Sequence, residues 1–271
     1  EDNWWFQPKV KRIAFRPRML FLNHCEDVVV AGIQVQNSPS WNIHPYFSDN
    51  LRFIDLKVLN PKVSPNTDGL DPESCKNVEI VGVYFSLGDD CIAVKAGKIY
   101  MGAKYKRPCE NLMIRQCCMR DGHGSVTIGS EMAGGVINLT VKDCLFINTD
   151  RGLRIKTRRG RGKDAIVDGI LFDNIQMDQV MTPLVINCFY FILSMFAARR
   201  HFRLMSVLPR SAVLYSKILR QKTVMLQVLS STDFRRKKSR RWLWNMFILP
   251  MMKTRSQELR PCLTELSHVQ K

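Results

Sequence analysis

Six stretches of one make-up recur before residue 192: EDVVVAGIQVQN from Glu26, DNLRFIDLKVLN from Asp49, KNVEIVGVYFSL from Lys76, ENLMIRQCCMRD from Glu110, INLTVKDCLFIN from Ile137 and DGILFDNIQMDQ from Asp168. Each begins with an acid or amide, continues as alternating β-formers and ends in a polar turn. Alternation with a period of two marks strands. With Val28, Leu51, Val78, Leu112, Leu139 and Ile170 taken as equivalent, the intervals are 23, 27, 34, 27 and 31 residues. Self-similarity at such a period predicts an all-β solenoid whose coils bury their inward residues against one another. Irregular intervals fit loops that grow on one face while the strands keep register. An antiparallel sandwich is the competing arrangement, and helical periodicity is poor throughout this part.

Composition divides the chain at the same place. All 15 glycines precede residue 192. From Ile192 to Lys271 there are 17 Lys and Arg against 3 Asp and Glu, which leaves 24 basic and 21 acidic residues before that point. Of the formal charge of +17, the end segment therefore carries 17 − 3 = +14 and the remainder only 24 − 21 = +3. Residues 1–191 are expected to form a partial solenoid domain, and 192–271 a basic, non-homologous tail, helical or disordered. The alternative for the tail is a basic element that binds nucleic acid or another anionic polymer, centred on RRKKSRRWLW.

The nine cysteines show no zinc-ligand spacing and read as buried thiols. No metal or other cofactor is expected. No run reaches the ~20 apolar residues of a membrane span, and no signal pattern opens the chain.

A solenoid stacks residues that lie about one coil apart in sequence. Asp68, in SPNTDGLD, lies 21 and 22 residues before Asp89 and Asp90 of SLGDDC. His123, in RDGHGSV, follows Asp90 by 33 residues, and Arg154 and Lys156 of RGLRIKT follow His123 by 31 and 33. Arg154 and Lys156, two apart, share one face of a strand. Three carboxylates, an imidazole and two cations would thus converge on one cleft. Each motif alone has a plainer reading: an Asx turn for NTDG, a solvated acidic turn for GDDC, a glycine-flanked corner for GHG and an exposed basic strand for RIK. Their joint order and spacing favour the cleft.

NTDG, GDDC, GHG and RIK in this order resemble the signature motifs of the polygalacturonases, glycoside hydrolase family 28. RPRMLFLNHCEDVVVAGI, QNSPSWNIHP and VMTPLVINCFYF resemble the coils that flank the site, so the resemblance covers about Trp4 to Phe191. It implies a right-handed parallel β-helix, here incomplete at both ends, and hydrolysis of α-1,4-linked galacturonan (pectin) with inversion.

By that resemblance Asp89 is the general acid, and Asp68 and Asp90 hold and activate the water. His123 orients or tunes the acid, and Asn66 positions the turn or a substrate hydroxyl. Arg154 and Lys156 grip substrate carboxylates. Negative charge on Asp68 and Asp90 would help keep Asp89 protonated. Polygalacturonate or its oligomers are the expected partner, not a membrane or nucleic acid, and a monomer outside the cell or at the cell wall is expected from the family. The alternatives are an inactive relative and a pectate-lyase-like solenoid cleaving the same polymer by elimination.

Overall fold

The computed structural model describes residues 16–98, 104–158, 160–188, 190, 214–218 and 226–228. Every strand pairing among them is parallel. Consecutive coils lay one strand beside the last. One sheet edge runs through β2 (Glu26–Ala31), β5 (Asp49–Ile54), β7 (Lys76–Val81), β10 (Cys109–Arg115), β13 (Val136–Ile147) and β15 (Val167–Asp178). Beside it run β3 (Gln34–Gln36), β6 (Lys57–Leu59), β8 (Tyr84–Leu87) and β11 (Cys118–Asp121), which joins the second half of β13.

The other face carries β1 (Leu20–Asn23) and β4 (Ile43–Tyr46), then β9 (Asp90–Val94), β12 (Gly124–Ile128), β14 (Arg151–Lys156) and β16 (Thr182–Asn187). Single bridges from Ile43 to Leu70 and from Leu70 to Ile92 carry this face across the NTDG turn. The architecture is the expected parallel solenoid.

The sequence register holds residue by residue. Val28 faces Leu51, Leu51 faces Val78, Val78 faces Leu112, Leu112 faces Leu139, and Leu139 faces Ile170. Inward positions stack into apolar columns. Phe53, Ile80, Ile114, Val141 and Phe172 form one, and Val58, Phe85, Met119, Phe146 and Met177 another. Burying such a side chain contributes roughly 1.5–3 kcal/mol, so the columns drive the winding.

The amides that open the repeat have a physical role. Asn50, Asn77, Asn111 and Asn138 all adopt left-handed φ between 53° and 56°, a region that asparagine tolerates better than most residues. Each side-chain amide donates to the residue one coil earlier: Asn50 to Asp27, Asn77 to Asn50, Asn111 to Asn77 and Asn138 to Asn111. An amide both donates and accepts, so the same residue serves every rung.

The end segment departs in part from a helical or disordered tail. β17 (Leu214–Ile218) pairs with β15, Leu214 opposite Ile170, and β18 (Leu226–Val228) pairs with β16. An uncovered edge on β15 or β16 would present unpaired N–H and C=O groups, and the β-forming LYSKI pairs with part of one. The remainder of the tail, with RRKKSRRWLW, lies outside the described residues, as do residues 1–15. Among the described residues no helix is long and apolar enough to cross a membrane.

Candidate active site

The three acids meet where two coils abut. Asp68 lies two residues before the bridge at Leu70, whose N–H donates to the Cys91 carbonyl, and the Gly69 N–H donates to the Asp90 carbonyl. Asp90 opens β9, all of whose residues are buried. Glycine is required beside these acids. A Cβ on Gly88 would lie 2.2 Å from the Ser64 carbonyl oxygen, and one on Gly124 would lie 2.8 Å from Asp90 Oδ1. The glycines of GDDC and GHG are thus explained by close approach between coils. One oxygen from each of Asp68, Asp89 and Asp90 lies within 4.8 Å of one from each of the others.

Their environments differ. Lys156 Nζ lies 2.6 Å from Asp90 Oδ2, and Arg154 Nη1 lies 3.4 Å from Asp90 Oδ1. Burial opposes charge on Asp90, but Lys156 and Arg154 outweigh it and bring its pKa down to about 2. Burial first, then the Asp89 charge, pushes Asp68 up to about 7, against the pull of Lys95. Asp89 is also raised, by burial and then by Asp90, while His123 and Lys156 pull it down. Asp90 therefore has the expected effect on its neighbour, second to desolvation. Asp89 is the most open of the three, half-buried where Asp68 and Asp90 are buried. Its Oδ2 accepts from the Asn66 N–H at 3.2 Å, and its Oδ1 from the Asp90 N–H at 2.9 Å.

The other expected residues gather here too. Asn66 touches the acid through its main chain, with φ at 58°, while its side-chain oxygen accepts from Arg16. The His123 N–H donates to the Asp89 carbonyl at 3.1 Å. The His123 ring, half-exposed, turns its Nδ1 to Asp150 Oδ2 at 2.8 Å. Arg154 and Lys156 converge on the acids, where both are paired with Asp90, and both cations lie over the Tyr190 ring, at 5.6 and 5.4 Å from its centroid.

Four charged residues at the site escaped the sequence reading. Asp150 holds the His123 ring. Asp71, Glu131 and Lys95 form a buried group beneath Asp68, with Lys95 Nζ 3.3 Å from Asp71, 3.7 Å from Asp68 and 3.7 Å from Glu131. A signal for Lys95 existed: it directly follows the apolar strand DCIAV, where a charge needs a buried partner. Three close carboxylates could in principle hold a cation. Here Lys156, Arg154 and Lys95 already stand against two of them and would repel one, so the donor set does not fit a metal.

A parallel solenoid with stacked acids and cations on one sheet defines the class of protein. The model of the glycosyl hydrolases family 28 matches residues 2–195, and the chain belongs to that family. It is 37% identical over 184 residues to a probable polygalacturonase of Vitis vinifera, an alignment spanning 66% of this chain and 38% of that protein. It is 36% identical to an endo-polygalacturonase of Pectobacterium carotovorum subsp. carotovorum, over 69% of this chain and 45% of the other. Among solved structures, the polygalacturonase from Erwinia carotovora ssp. carotovora superposes with a TM-score of 0.58 at 31% identity, covering 64% of this chain and 44% of that one. The exopolygalacturonase from Thermotoga maritima gives 0.53 at 32%, covering 63% and 42%. The chain spans less than half the length of these relatives.

Proposed function

We propose that the protein is a polygalacturonase-type glycosidase that hydrolyses α-1,4-linked galacturonic acid polymers by single displacement with inversion. The observation that carries this reading is the charge division within one cluster: an acid held ionised by two cations, beside two whose carboxyls are pushed upward. Glycosidases need such unequal carboxyls, one to donate a proton and one to accept. Asp89, the more open, protonates the leaving oxygen as the bond to the anomeric carbon breaks. A water held by Asp68 and Asp90 forms the new bond from the opposite face and gives its proton to a carboxylate. His123, fixed by Asp150, steadies the turn that carries Asp89. Arg154, with Lys156 behind it on Asp90, meets the substrate's carboxylate, and the Asn66 turn donates its N–H to Asp89. Residues 1–191 are the unit that carries the site.

A second reading has one observation in its favour. The acids stand closer than the ~6.5–9.5 Å usual for inversion, nearer the ~5–5.5 Å of retaining enzymes. A retaining nucleophile must reach the anomeric carbon, however, and Asp90 is fully buried between two cations while Asp68 is nearly so. A water molecule can travel where those side chains cannot, so inversion is preferred. Incubating the chain with polygalacturonate and following the first product by proton NMR tests this. Inversion is expected at the new reducing end; retention would favour the second reading. An unsaturated, ultraviolet-absorbing product would show elimination, and no cleavage would defeat the assignment.

A further inference from the structure

The Asp68–Asp89 pair poses a problem that the two residues do not solve themselves. Both are raised by burial and Asp68 further by the Asp89 charge, so where the pair retains a single proton the two compete for it. The proposed reaction needs it on Asp89. Asp89 accepts two main-chain hydrogen bonds, which favour its ionised form. Something must favour ionised Asp68 more.

Lys95 is placed to do so. It follows β9 and bridges to Glu73, and its ammonium is almost fully buried. It lies 3.7 Å from Asp68 and makes no ion pair with Asp89. Burial opposes its charge, but Asp71, Asp68 and Glu131 hold it cationic. The groups around it come from several coils: Asp68 and Asp71 from the preceding turn, Glu131 from the loop after β12, Asp90 from its own strand, and the His44–Glu73 pair beside it. The Trp41 ring closes it off, its centroid 4.5 Å from Nζ.

Asp71 is the nearer rival for this cation, at 3.3 Å. Burial and the Asp68 charge push its carboxyl well above the usual range, which weakens its hold on Lys95. Glu131, by contrast, is held low by Lys95 against its burial. The groups facing Asp68 itself are Asp71, Asp89, Asp90, Lys95 and Lys156.

We propose that Lys95 is a positioning residue that biases the shared proton toward Asp89: standing against Asp68 and not Asp89, it favours the ionised form of Asp68 over that of its neighbour. This rests on the roles given to the two acids above. A cation within ~4–6 Å lowers a carboxyl pKa by about 1–3 units, more strongly away from water. That bias is large enough to choose between two acids of similar affinity.

The test reads protonation directly and so does not depend on turnover. In the full chain, labelled at the aspartate carboxyl carbons, the signals of Asp68 and Asp89 are assigned by Asp68→Asn and Asp89→Asn and titrated by carbon NMR. Lys95→Met keeps the length of the side chain beneath Trp41 and removes the charge. Its Asp68 should titrate about one unit or more higher than in the parent, with Asp89 unmoved or lowered. Lys95→Arg should restore the parental order. An unmoved Asp68 in the Met variant, or Asp89 rising as far as Asp68, would overturn the proposal.

Should Lys95→Met not fold, Glu131→Gln gives an independent reading. It removes an anion from Lys95 and should lower the Asp68 midpoint; no change there would equally overturn it. In the pH profile of polygalacturonate cleavage, loss of Lys95 should move the acidic limb upward, since that limb follows ionisation of the base, and leave the alkaline limb in place. A purely structural defect would lower the whole profile without moving a limb. If the parent chain cleaves no polygalacturonate, the functional reading fails while the NMR titration still decides the role of Lys95.

Discussion

Lys156 sets its ammonium 2.6 Å from the Asp90 carboxylate, whereas Arg154, on the same face of the strand, reaches the other oxygen only at 3.4 Å. The two cations of RIK are therefore placed differently. Lys156 is the more committed to Asp90, and Arg154, the longer and more open, retains donors for a substrate carboxylate.

Substitution should separate them. Lys156→Met removes the closest cation holding Asp90 at about 2, so Asp90 rises and turnover falls on any substrate, most at acidic pH. Arg154→Ala should instead raise KM on polygalacturonate, by roughly tenfold for one lost charge-assisted hydrogen bond. That loss should shrink on methyl-esterified pectin, where the substrate charge is gone. Steady-state kinetics on both polymers check this; equal KM losses for Arg154→Ala would show it to be a structural residue.

Asp89→Asn keeps the shape of the side chain and its acceptance of the Asn66 N–H on one oxygen, but cannot donate an acidic proton. Cleavage should drop by about 10²–10⁴-fold with substrate binding little changed. Initial rates of reducing-end release, beside calorimetric binding of an oligogalacturonide, provide the comparison. A variant within a few-fold of the parent would mean that another group is the acid.

Asp68 should make stability fall as pH rises. In the folded protein its carboxyl is raised to about 7 even with Lys95 beside it, against 3.8 when free. Between these values the folded chain binds more protons than the unfolded one, so stability is lost as pH climbs through that window. Each unit is worth about 1.4 kcal/mol, reduced here because the proton is shared with Asp89. Asp68→Asn removes the titration. Relative to the parent, the variant should gain on the order of 1–2 kcal/mol at pH 8 over its difference at pH 4. Urea unfolding at both pH values measures it, and an equal difference at the two would refute the pKa assignment.

The repeat from Val28 to Ile170 was legible because one constraint wrote it: each inward side chain stacks on its counterpart a coil away, so the register survives variable loops. The acids, His123 and the RIK pair were legible for the same reason, as chemistry-bearing residues at coil spacing. Lys95, Asp71 and Glu131 were not. Asp71 lies within an apparent Asx turn, Lys95 at the end of an apolar strand and Glu131 in a loop, and only the stacking of three coils brings them together. Asp150 was hidden similarly, since NTD before RGLRIK reads as a turn. The strands at Leu214 and Leu226 were missed because glycine-free, arginine-rich sequence carries no repeat, yet open strand edges accept short β-forming segments regardless.

Gly124 offers a test of how tightly the coils constrain the acids. A methyl group there would stand 2.4 Å from Thr127 Oγ1 and 2.8 Å from Asp90 Oδ1. Both residues are fully buried, and Asp90 is held by Lys156, so neither can withdraw without breaking a contact. Gly124→Ala should therefore cost about 1–3 kcal/mol from overpacking and displace Asp90 from its cation, lowering turnover more than binding. Gly32 gives the contrast. It has φ at +66° with nothing within 4 Å of an added Cβ, so Gly32→Ala should cost only about 1–2 kcal/mol of backbone strain and leave turnover intact. Denaturant unfolding and kcat measured on both variants decide the matter. Equal turnover losses would mean that the Gly124 effect is general destabilisation, whereas a loss confined to Gly124→Ala would tie the glycine of GHG to the placement of Asp90.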